Sequence, residues 1–545
     1  MTTNGYIKTD YLVIGSGIAG LRASIELSRR GNKIALVTKK SVIDGSTYLA
    51  QGGISAVDPE RVKAGKDSYN LHIEDTLKAA DGLGDKDITE KFVKRAYPDV
   101  IDFLIKEGVP FSKSDDGYEL HQEGGHSSPR IYCVGDYTGK AIEETLADKV
   151  REDPNITIYE NHSAIDLITA RKVYEMQHDG IDLITAHKIY EADDKCIGAY
   201  VYDEKNDSVK TFDAKSTFIA TGGAGRIFLY TSNNQVSTGD GIAMAHRAGA
   251  KIANMEFTQF HPTVLYGYDD HGRSFLLTEA LRGKKMGAVL TLDKDSKTDF
   301  VKELGYSEDG SAGTRDIVAR AIDIEMKKKG LTNVFLNITP EVTGKASEEI
   351  AKGFPQIYEK LKNLGYDITK EPVPAVPASH YTCGGIVVGS NGEVPGIKNL
   401  YAIGEASCTG LMGANRLASN SLPEAALYGL LAVEHATKNS KKSDSKLPLW
   451  NIGRAKKSRN QNLVGYYWDE IRTMMWHLVG IVRDQERMFM AKTRINRIQE
   501  EITRYYWNYF ITSDFLELRN IAKVADLTID AAFNRKESKG GHYIE

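Results

Sequence analysis

The segment Tyr11-Leu12-Val13-Ile14-Gly15-Ser16-Gly17-Ile18-Ala19-Gly20 decides the fold of the N-terminal region. Its first four residues form an apolar run typical of a buried strand, and a helical pattern follows through Leu27. A second apolar run covers residues 34–37, so GxGxxG stands at the first turn of a strand-helix-strand unit. In this motif the glycines permit a tight turn, a close approach to a pyrophosphate and close helix packing. The segment therefore predicts dinucleotide binding.

The end of the second strand departs from the usual dinucleotide fingerprint. It reads Val37-Thr38-Lys39-Lys40 and lacks the acidic residue that accepts a ribose hydroxyl. Thr38 and Lys39 can address the adenosine or the phosphates instead, so a simple NAD site is disfavoured.

Two later strands have the same pattern, an apolar run that ends in glycine. Residues 216–220 lead into Thr221-Gly222-Gly223, and residues 399–403 lead into Gly404-Glu405 before a long helix from about 421 to 436. These strands are expected to join the first two in one parallel sheet that is interrupted in sequence. The predicted domains are 1–241 and 356–436 for dinucleotide binding, 242–355 as an insert, 437–448 as a polar linker and 449–545 as a helical domain.

A near-repeat lies at residues 165–191, where IDLITARKVYE recurs as IDLITAHKIYE sixteen positions later. The offset is too short for a solenoid, so we expect a local duplication that forms two β-rich segments on a peripheral sheet. The aromatic residues of the C-terminal region fall at helical spacing, which favours a bundle core over a nucleic-acid platform.

Composition excludes several classes of protein. The 545 residues include 41% apolar and 26% charged residues, with a formal net charge of −4, which argues against a disordered chain or a polybasic nucleic-acid binder. Four cysteines without CxxC spacing indicate neither a disulfide scaffold nor a metal site. No signal peptide and no long apolar run are apparent. We expect a soluble, cytoplasmic protein without metal and without nucleic-acid or membrane partners.

Several motifs in register resemble the fumarate reductase and succinate dehydrogenase flavoproteins over nearly the whole chain. They are GSGIAG (15–20), STYLAQGG (46–53), HQEGGHSSPR (121–130), ATGGAG (220–225), STGDGIAMA (237–245), EFTQFHPT (256–263), LLTEALRG (276–283), TRDIVARAI (314–322), PASHYTCGG (377–385), YAIGE (401–405) and GANRLASNSL (413–422). The resemblance implies an α/β fold: a doubly wound, Rossmann-like FAD-binding domain, an inserted α+β capping domain and a C-terminal helical bundle.

The resemblance also implies the residues that contact FAD. They are Gly15, Ser16, Gly17, Ile18, Ala19, Gly20, Lys39, Ser46, Thr47, Tyr48, Leu49, Ala50, Gln51, Gly52, Gly53, Asp240, Glu405, Ser421 and Leu422. In membrane-complex members a histidine at the position of Ser46 is bonded covalently to the flavin. A serine cannot form that imidazole tether, so the expected FAD is non-covalent.

Glu123 separates branches of the family. In the members that oxidise an amino dicarboxylate, a glutamate at this position faces the substrate amino group. A carboxylate there favours an ammonium-bearing substrate, because an unpaired buried charge is costly. A solvated loop carboxylate and an ion pair with Arg130 are the alternatives.

The remaining implied site residues hold the substrate carboxylates. Arg416 matches the family's carboxylate-binding arginine, a residue type suited to bidentate contacts. The matched pocket positions are His261, His380, Gln259, Thr278, Glu279 and Ser419. Arg315 matches the family's proton donor in fumarate reduction, with Asp316 or Glu279 as candidate charge partners. A helix-start ion pair is the structural alternative for Arg315.

The implied reaction is oxidation of L-aspartate to iminoaspartate, with O2 giving H2O2 or fumarate giving succinate as the acceptor. Within the family this is the first step of de novo NAD synthesis, with a functional link to quinolinate synthase. Two alternatives stay open: a soluble fumarate reductase or succinate dehydrogenase flavoprotein subunit, and an inactive flavin-bearing structural or electron-carrying subunit.

Overall fold

A parallel sheet of five strands forms the centre of the computed structural model, which describes residues 2–114, 117–177, 194–267, 274–440, 447–458, 460 and 462–545. Across the sheet the strands are Leu400–Ala402, Ser216–Ile219, Tyr11–Ile14, Ile34–Val37 and Ile156–Tyr159. The first four are buried along their whole length, as expected for a parallel sheet covered on both faces. The predicted interrupted sheet is confirmed.

Helices cover this sheet and lead away from it. Ile18–Arg29 packs against Thr138–Glu152 and Ser421–Asn439. Between the strands Ile34–Val37 and Ile156–Tyr159 the chain forms further helices. They are Pro59–Lys63, Tyr69–Ala79, Lys86–Arg95, Ala96–Ile101 and Asp102–Glu107, of which Ala96–Ile101 is a π-helix.

Smaller sheets flank the parallel sheet. One consists of Thr2–Lys8, Ser208–Asp213, Asp194–Asp203 and His162–Thr169, with Ile397–Lys398 paired to the third strand. Short three-stranded sheets join Ile252–Ala253, Gly385–Val387 and Ser407–Cys408, and join Ile54–Ser55, Ile131–Tyr132 and Leu120–His121. A hairpin pairs Lys113–Ser114 with Gly117–Tyr118.

The insert contains an antiparallel sheet in the order Thr258–Leu265, Val373–Thr382, Val334–Asn337 and Val289–Thr291. Its helices are Glu279–Arg282, Phe300–Glu303, Arg315–Lys329, Pro340–Thr343, Ser347–Gly353 and Pro355–Asn363.

The structure shifts both predicted boundaries of the insert, 242 and 355. Asp240–Arg247 packs against His162–Thr169, and Ile252–Ala253 pairs with Gly385–Val387, so both belong to the main domain. Val373–Thr382 lies between two strands of the insert sheet, although the boundary at 355 placed it in the main domain. The sheet of the insert therefore spans 258–382.

Two other segments differ from the expectations or fall outside the described residues. The first copy of the near-repeat is strand only to Thr169, and Ala170–Gln177 is helix, so the expectation of a β-rich copy was wrong for its second half. The second copy, 181–191, lies outside the described residues. The long helix continues to Asn439, into the start of the predicted linker, of which residues 441–446 are not described.

The C-terminal domain is a bundle of Asn462–Val479, Gln485–Asn508 and Ser513–Asn534. Beyond it, Tyr543–Ile544 pairs in parallel with Val482–Arg483. Gly541 N donates to Ala414 O at 3.0 Å, so this last segment packs against the loop that precedes Arg416.

Candidate active site

The turn after Tyr11–Ile14 has no room for side chains at two glycines. Gly15 has a φ of +110°, and a Cβ on it would lie 2.1 Å from Ala220 O. A Cβ on Gly20 would lie 1.9 Å from Gly15 O. Only glycine therefore lets Ile18–Arg29 start this close to the sheet.

The N-terminus of Ile18–Arg29 opens onto a crevice. Gly17 is its N-cap residue and, as a glycine, has no side chain that could cap the helix. Ile18 N donates to Thr47 Oγ1 at 3.2 Å, which ties the helix to the 46–53 loop. A helix N-terminus that begins at a glycine is a ready site for a phosphate.

Lys39 follows the second strand, where a dinucleotide site usually has an acidic residue. Its Nζ lies 2.8 Å from Asp240 Oδ2 and 2.7 Å from Glu517 Oε1. Burial works to lower the pKa of Lys39, but these two carboxylates outweigh it and raise the pKa. The lysine therefore joins the crevice to a helix of the C-terminal bundle.

The 46–53 loop forms the opposite wall. The Ser46 hydroxyl hydrogen-bonds Ser237 Oγ at 3.0 Å. The buried Gln51 Oε1 has no hydrogen-bond partner among the described residues, so it is a free acceptor at this wall.

The crevice has a volume of about 1080 Å³ and continues from the glycine turn to the insert. It is lined by every residue predicted to contact FAD except Gly20, which packs inside the turn. It is also lined by all the predicted substrate residues except Gln259. These lining substrate residues are Arg315, Glu123, His261, His380, Arg416, Thr278, Glu279 and Ser419.

Arg315, at the start of Arg315–Lys329, is fixed by the insert itself. Its Nε donates to Glu279 Oε2 at 2.6 Å. Burial works to raise the pKa of Glu279, but Arg315 and Arg282 outweigh it and lower the pKa. For Arg315 burial works to lower the pKa, and Glu279 and Glu123 outweigh it. Both groups are therefore ionised, and Glu279 is the charge partner.

Gln259 lies behind the two arginines and orients them. Its Oε1 accepts from Arg315 Nη1 at 3.2 Å and from Arg416 Nη2 at 3.0 Å, while its Nε2 donates to Arg416 O at 2.9 Å. The prediction placed Gln259 in the substrate pocket. The structure instead makes it a positioning residue, because it bridges the arginines without lining the crevice.

Arg416 comes from the loop before Ser421–Asn439 and is 8% exposed. Its guanidinium lies 4.5 Å from the centre of the Tyr381 ring, and its Nη1 donates to Ser421 Oγ at 2.7 Å. Its Nε is buried and has no partner among the described residues. Burial, followed by the charge of Arg315, lowers the pKa of Arg416.

The two histidines come from neighbouring strands of the insert sheet, and their ring centres are 5.5 Å apart. Burial and the nearby arginines hold the pKa of both His261 and His380 well below the usual value. His380 Nδ1 lies 2.7 Å from Ser232 Oγ. Both rings are neutral at physiological pH and can hydrogen-bond a carboxylate without adding charge.

Glu123 contacts the same loop that carries Arg416. Ser419 Oγ donates to Glu123 Oε2 at 2.6 Å, and Ser419 has a φ of +61°, a strained value for a serine. Arg130 does not pair with Glu123, because it is held by Asp67 and Asp75. The ion-pair alternative for Glu123 is therefore wrong.

Arg282 is a site residue that the sequence reasoning did not single out. It lines the crevice, is 1% exposed, and leaves Nε and Nη2 without partners among the described residues. Burial lowers its pKa to about 10, so it is still charged at neutral pH. Its place in the quoted LLTEALRG motif, one turn after Glu279, was the available signal.

The charges at this end of the crevice suit one kind of substrate. Apart from Lys284, whose side chain is exposed, the charged side chains here are Arg282, Arg315 and Arg416, balanced by Glu123 and Glu279, which leaves one positive charge. An amino dicarboxylate carries two negative charges and one positive charge, so it neutralises the group. A plain dicarboxylate would leave an uncompensated negative charge in a buried site, which is costly.

The other end of the crevice fits FAD. The glycine turn and the helix N-terminus at Gly17 suit a pyrophosphate, and the free Gln51 Oε1 can accept from a polar hydrogen of the cofactor. Among the described residues no helix has the length and apolarity needed to cross a bilayer, and no group of three metal-ligating side chains occurs.

Comparison with known proteins gives the family. A model described as "FAD binding domain" matches residues 10–422, and one described as "Fumarate reductase flavoprotein C-term" matches residues 468–545. The proteins named L-aspartate oxidase in Acinetobacter baylyi and Yersinia pestis are each 43% identical to this chain. The alignments cover 98% of this chain and 92% and 95% of theirs.

Among solved structures, a mutant of E. coli quinol fumarate reductase FrdA superposes with a TM-score of 0.83 at 28% identity, covering 99% of this chain and 92% of that one. The matched models cover both the crevice and the C-terminal bundle. The chain therefore belongs to the FAD-dependent flavoprotein family that includes the fumarate reductases and the proteins named L-aspartate oxidase, and its cofactor is FAD.

Proposed function

We propose that this protein oxidises L-aspartate to iminoaspartate. The observation that carries the proposal is the Glu123 carboxylate, held by Ser419 in a crevice whose other substrate-facing charges are mainly arginines. The names of the relatives that match nearly the full chain support the same substrate.

The substrate carboxylates bind Arg416, His261 and His380, and the ammonium faces Glu123. Arg416 presents a charged, planar donor, and the neutral histidines add hydrogen bonds. Thr278, at the start of Glu279–Arg282, adds a polar group from the insert. Both ends of the substrate and its amino group are then fixed, which orients Cα.

FAD, held by residues such as Gly15, Gly17 and Gln51, would supply the chemistry that the side chains lack: hydride acceptance from Cα and two-electron transfer to O2, giving H2O2, or to fumarate, giving succinate. Glu123 accepts the proton that the ammonium loses. In fumarate reduction Arg315 provides the proton for the carbon, and Glu279, at 2.6 Å, keeps Arg315 in place and charged.

The site is complete only when the insert lies over the main domain. Arg315, Glu279 and His261 belong to the insert, whereas Glu123, Arg416 and Ser419 belong to the main domain. The contact of Gln259 with Arg416 links the two sides. Closure of the insert thus excludes water during transfer.

An anaerobic titration of the flavin spectrum tests this function. L-aspartate should bleach the purified yellow protein, and air should restore the colour with release of one H2O2 per flavin. Bleaching by succinate alone would favour the fumarate reductase or succinate dehydrogenase alternative. Retention of colour with both ligands would favour an inactive flavin-bearing subunit.

The Glu123→Gln variant tests the role of the carboxylate. We expect at least a tenfold loss in affinity for L-aspartate and at most a twofold loss for succinate, because only the ammonium loses its partner. The control is Glu119→Gln, which removes an exposed carboxylate from the same hairpin. Equal losses for both ligands would refute the assignment.

We also propose that the imine product is passed to quinolinate synthase in the cytoplasm, as the first step of de novo NAD synthesis. An imine hydrolyses in water, so its consumer must act quickly. The four cysteines are unpaired, which suits a reducing compartment. Purified quinolinate synthase, supplied with its three-carbon co-substrate, should form quinolinate when coupled to this enzyme and L-aspartate, because iminoaspartate provides only four of the seven carbons.

A further inference from the structure

The loop that carries Glu123 is held at its base by a hairpin. It connects Leu120–His121 with Ile131–Tyr132, and Arg130 N donates to His121 O at 3.1 Å. Gln122 Nε2 donates to His126 O at 2.7 Å across the loop. Glu123 O accepts from His126 N at 3.1 Å, so the position of the His126 backbone affects where Glu123 lies.

His126 bridges two segments of the chain. It is 5% exposed, its Nε2 lies 2.8 Å from Ala418 O, and its Nδ1 lies 3.3 Å from Arg130 Nη1. Because a guanidinium can only donate, Nδ1 accepts, and because a carbonyl can only accept, Nε2 carries the hydrogen. The contacts therefore specify the neutral Nε2–H tautomer.

Arg130 is a rigid anchor for the imidazole. It is fully buried, with Nε and Nη2 donating to the two Asp67 oxygens at 3.1 and 2.8 Å. Its Nη1 donates to Asp75 Oδ2 at 2.6 Å, and that oxygen also accepts from Ser127 N at 2.8 Å. The two carboxylates fix the guanidinium in one orientation and hold the loop backbone beside it.

On the other side of His126 is the segment that contacts substrate. Ala418 lies between Arg416, the carboxylate-binding arginine, and Ser419, the donor to Glu123. The next residue, Asn420, is fully buried and accepts from Ser55 Oγ at 2.6 Å while its Nδ2 donates to Thr76 Oγ1 at 3.1 Å. This segment is therefore rigid as well.

We propose that His126 is a positioning residue that sets the spacing between the ammonium-facing carboxylate of Glu123 and the carboxylate-binding guanidinium of Arg416, and so selects amino dicarboxylates over plain ones. The inference rests on the proposed function. Burial and the charge of Arg130 lower the pKa of His126, against the opposing effect of its Ala418 bond, which suits the neutral tautomer.

Three substitutions separate the two bonds of His126. Asparagine can replace the Nδ1 contact with Arg130, glutamine can replace the Nε2 contact with Ala418, and leucine replaces neither. The control is His121→Gln, an exposed histidine of the same hairpin. Each purified holoenzyme is measured for FAD content, for the Kd of succinate from the flavin spectrum, and for the Kd of L-aspartate from stopped-flow flavin reduction.

His126→Leu and His126→Asn should raise the Kd of L-aspartate at least tenfold and that of succinate at most threefold, with unchanged FAD content. His126→Gln should stay within threefold of wild type for both ligands, because it retains the bond to Ala418. If the leucine variant loses FAD, the asparagine and glutamine variants decide the result.

Two outcomes have different meanings. A wild-type protein that binds succinate but not L-aspartate would contradict the proposed function itself. A wild type that prefers L-aspartate, together with His126 variants that keep the same ratio of Kd values, would overturn only the role of His126.

Discussion

Glu424 is a buried carboxylic acid directly behind the substrate site. It is 1% exposed, accepts from Thr409 Oγ1 at 2.5 Å and lies 3.4 Å from the Tyr381 hydroxyl. The ring of Tyr381 in turn contacts the guanidinium of Arg416, which lies 4.5 Å from the ring centre. Burial raises the pKa of Glu424 to about 7.

This raised pKa gives a testable pH dependence. The carboxyl group favours folding while it is protonated, so its contribution is complete below the unfolded pKa of 4.5 and is lost as pH rises through about 7. Relative to Glu424→Gln, the wild type should lose up to about 3 kcal/mol of unfolding free energy across this range. Urea unfolding of both proteins at several pH values measures the difference, and a constant difference would contradict the assignment.

The place of a single residue in the site could be predicted where that residue belongs to a matched motif. Glu123, Arg315 and Arg416 were located by matched motifs, and the structure brings them to one crevice. Glu424 and the bridge that Gln259 makes to the arginines were missed because they depend on neighbours distant in sequence, whereas Arg282 was missed although a matched motif contains it. Gln259 and Arg416, for example, are 157 positions apart.

Among the elements, the first strand and helix depend on a glycine pair. A methyl group on Gly20 would meet the backbone carbonyl of Gly15 at 1.9 Å, and backbone cannot move aside as a flexible side chain can. Gly20→Ala should therefore displace the helix N-terminus and reduce bound FAD by at least tenfold, measured as flavin per protein after gel filtration.

The matched control is Gly465→Ala, an exposed glycine inside Asn462–Val479 whose Cβ would meet nothing within 4 Å. It should keep full FAD content and gain up to about 1 kcal/mol of stability from helix propensity. Full FAD content in Gly20→Ala would show that the turn tolerates expansion.

Helices and strands could be predicted where the residues within the element itself determine its conformation. The strand-helix-strand unit followed from residues 11–37, whose signals are all short-range. Val373–Thr382 pairs with strands of the insert although the expected boundary at 355 excluded it, and its Pro374 and Pro377 are unusual in a central strand. Here bulges in its pairing with Thr258–Leu265 accommodate the interruption.

At the scale of the whole molecule, the segment that follows Ser513–Asn534 contacts the loop that carries Arg416. His542 is fully buried between Arg483 Nη1, at 2.7 Å, and Arg535 O, at 3.1 Å. Gly540 has a φ of +47°, and a Cβ on it would lie 2.3 Å from Ala414 O. This contact transmits any displacement of the segment to Arg416, two residues further on.

Gly540→Ala should therefore weaken succinate binding at least fivefold, because it displaces the loop that carries Arg416. The content of FAD should not change, because the turn at Gly15 and Gly20 is not affected. The Kd from the flavin spectrum and the FAD content measure the two effects. Glu537→Gln, a change at an exposed side chain nearby, should alter neither. An unchanged Kd in Gly540→Ala would show that the loop is held without this segment.

The interleaved order of the central sheet also affects how the chain folds. Leu400–Ala402 pairs with Ser216–Ile219, about 180 residues earlier, and the whole insert lies between them. Until that closure occurs, Ser216–Ile219 presents an edge of unpaired backbone groups to other chains. We therefore expect intramolecular closure to compete with aggregation, so that the folding yield falls as the concentration of folding chains rises.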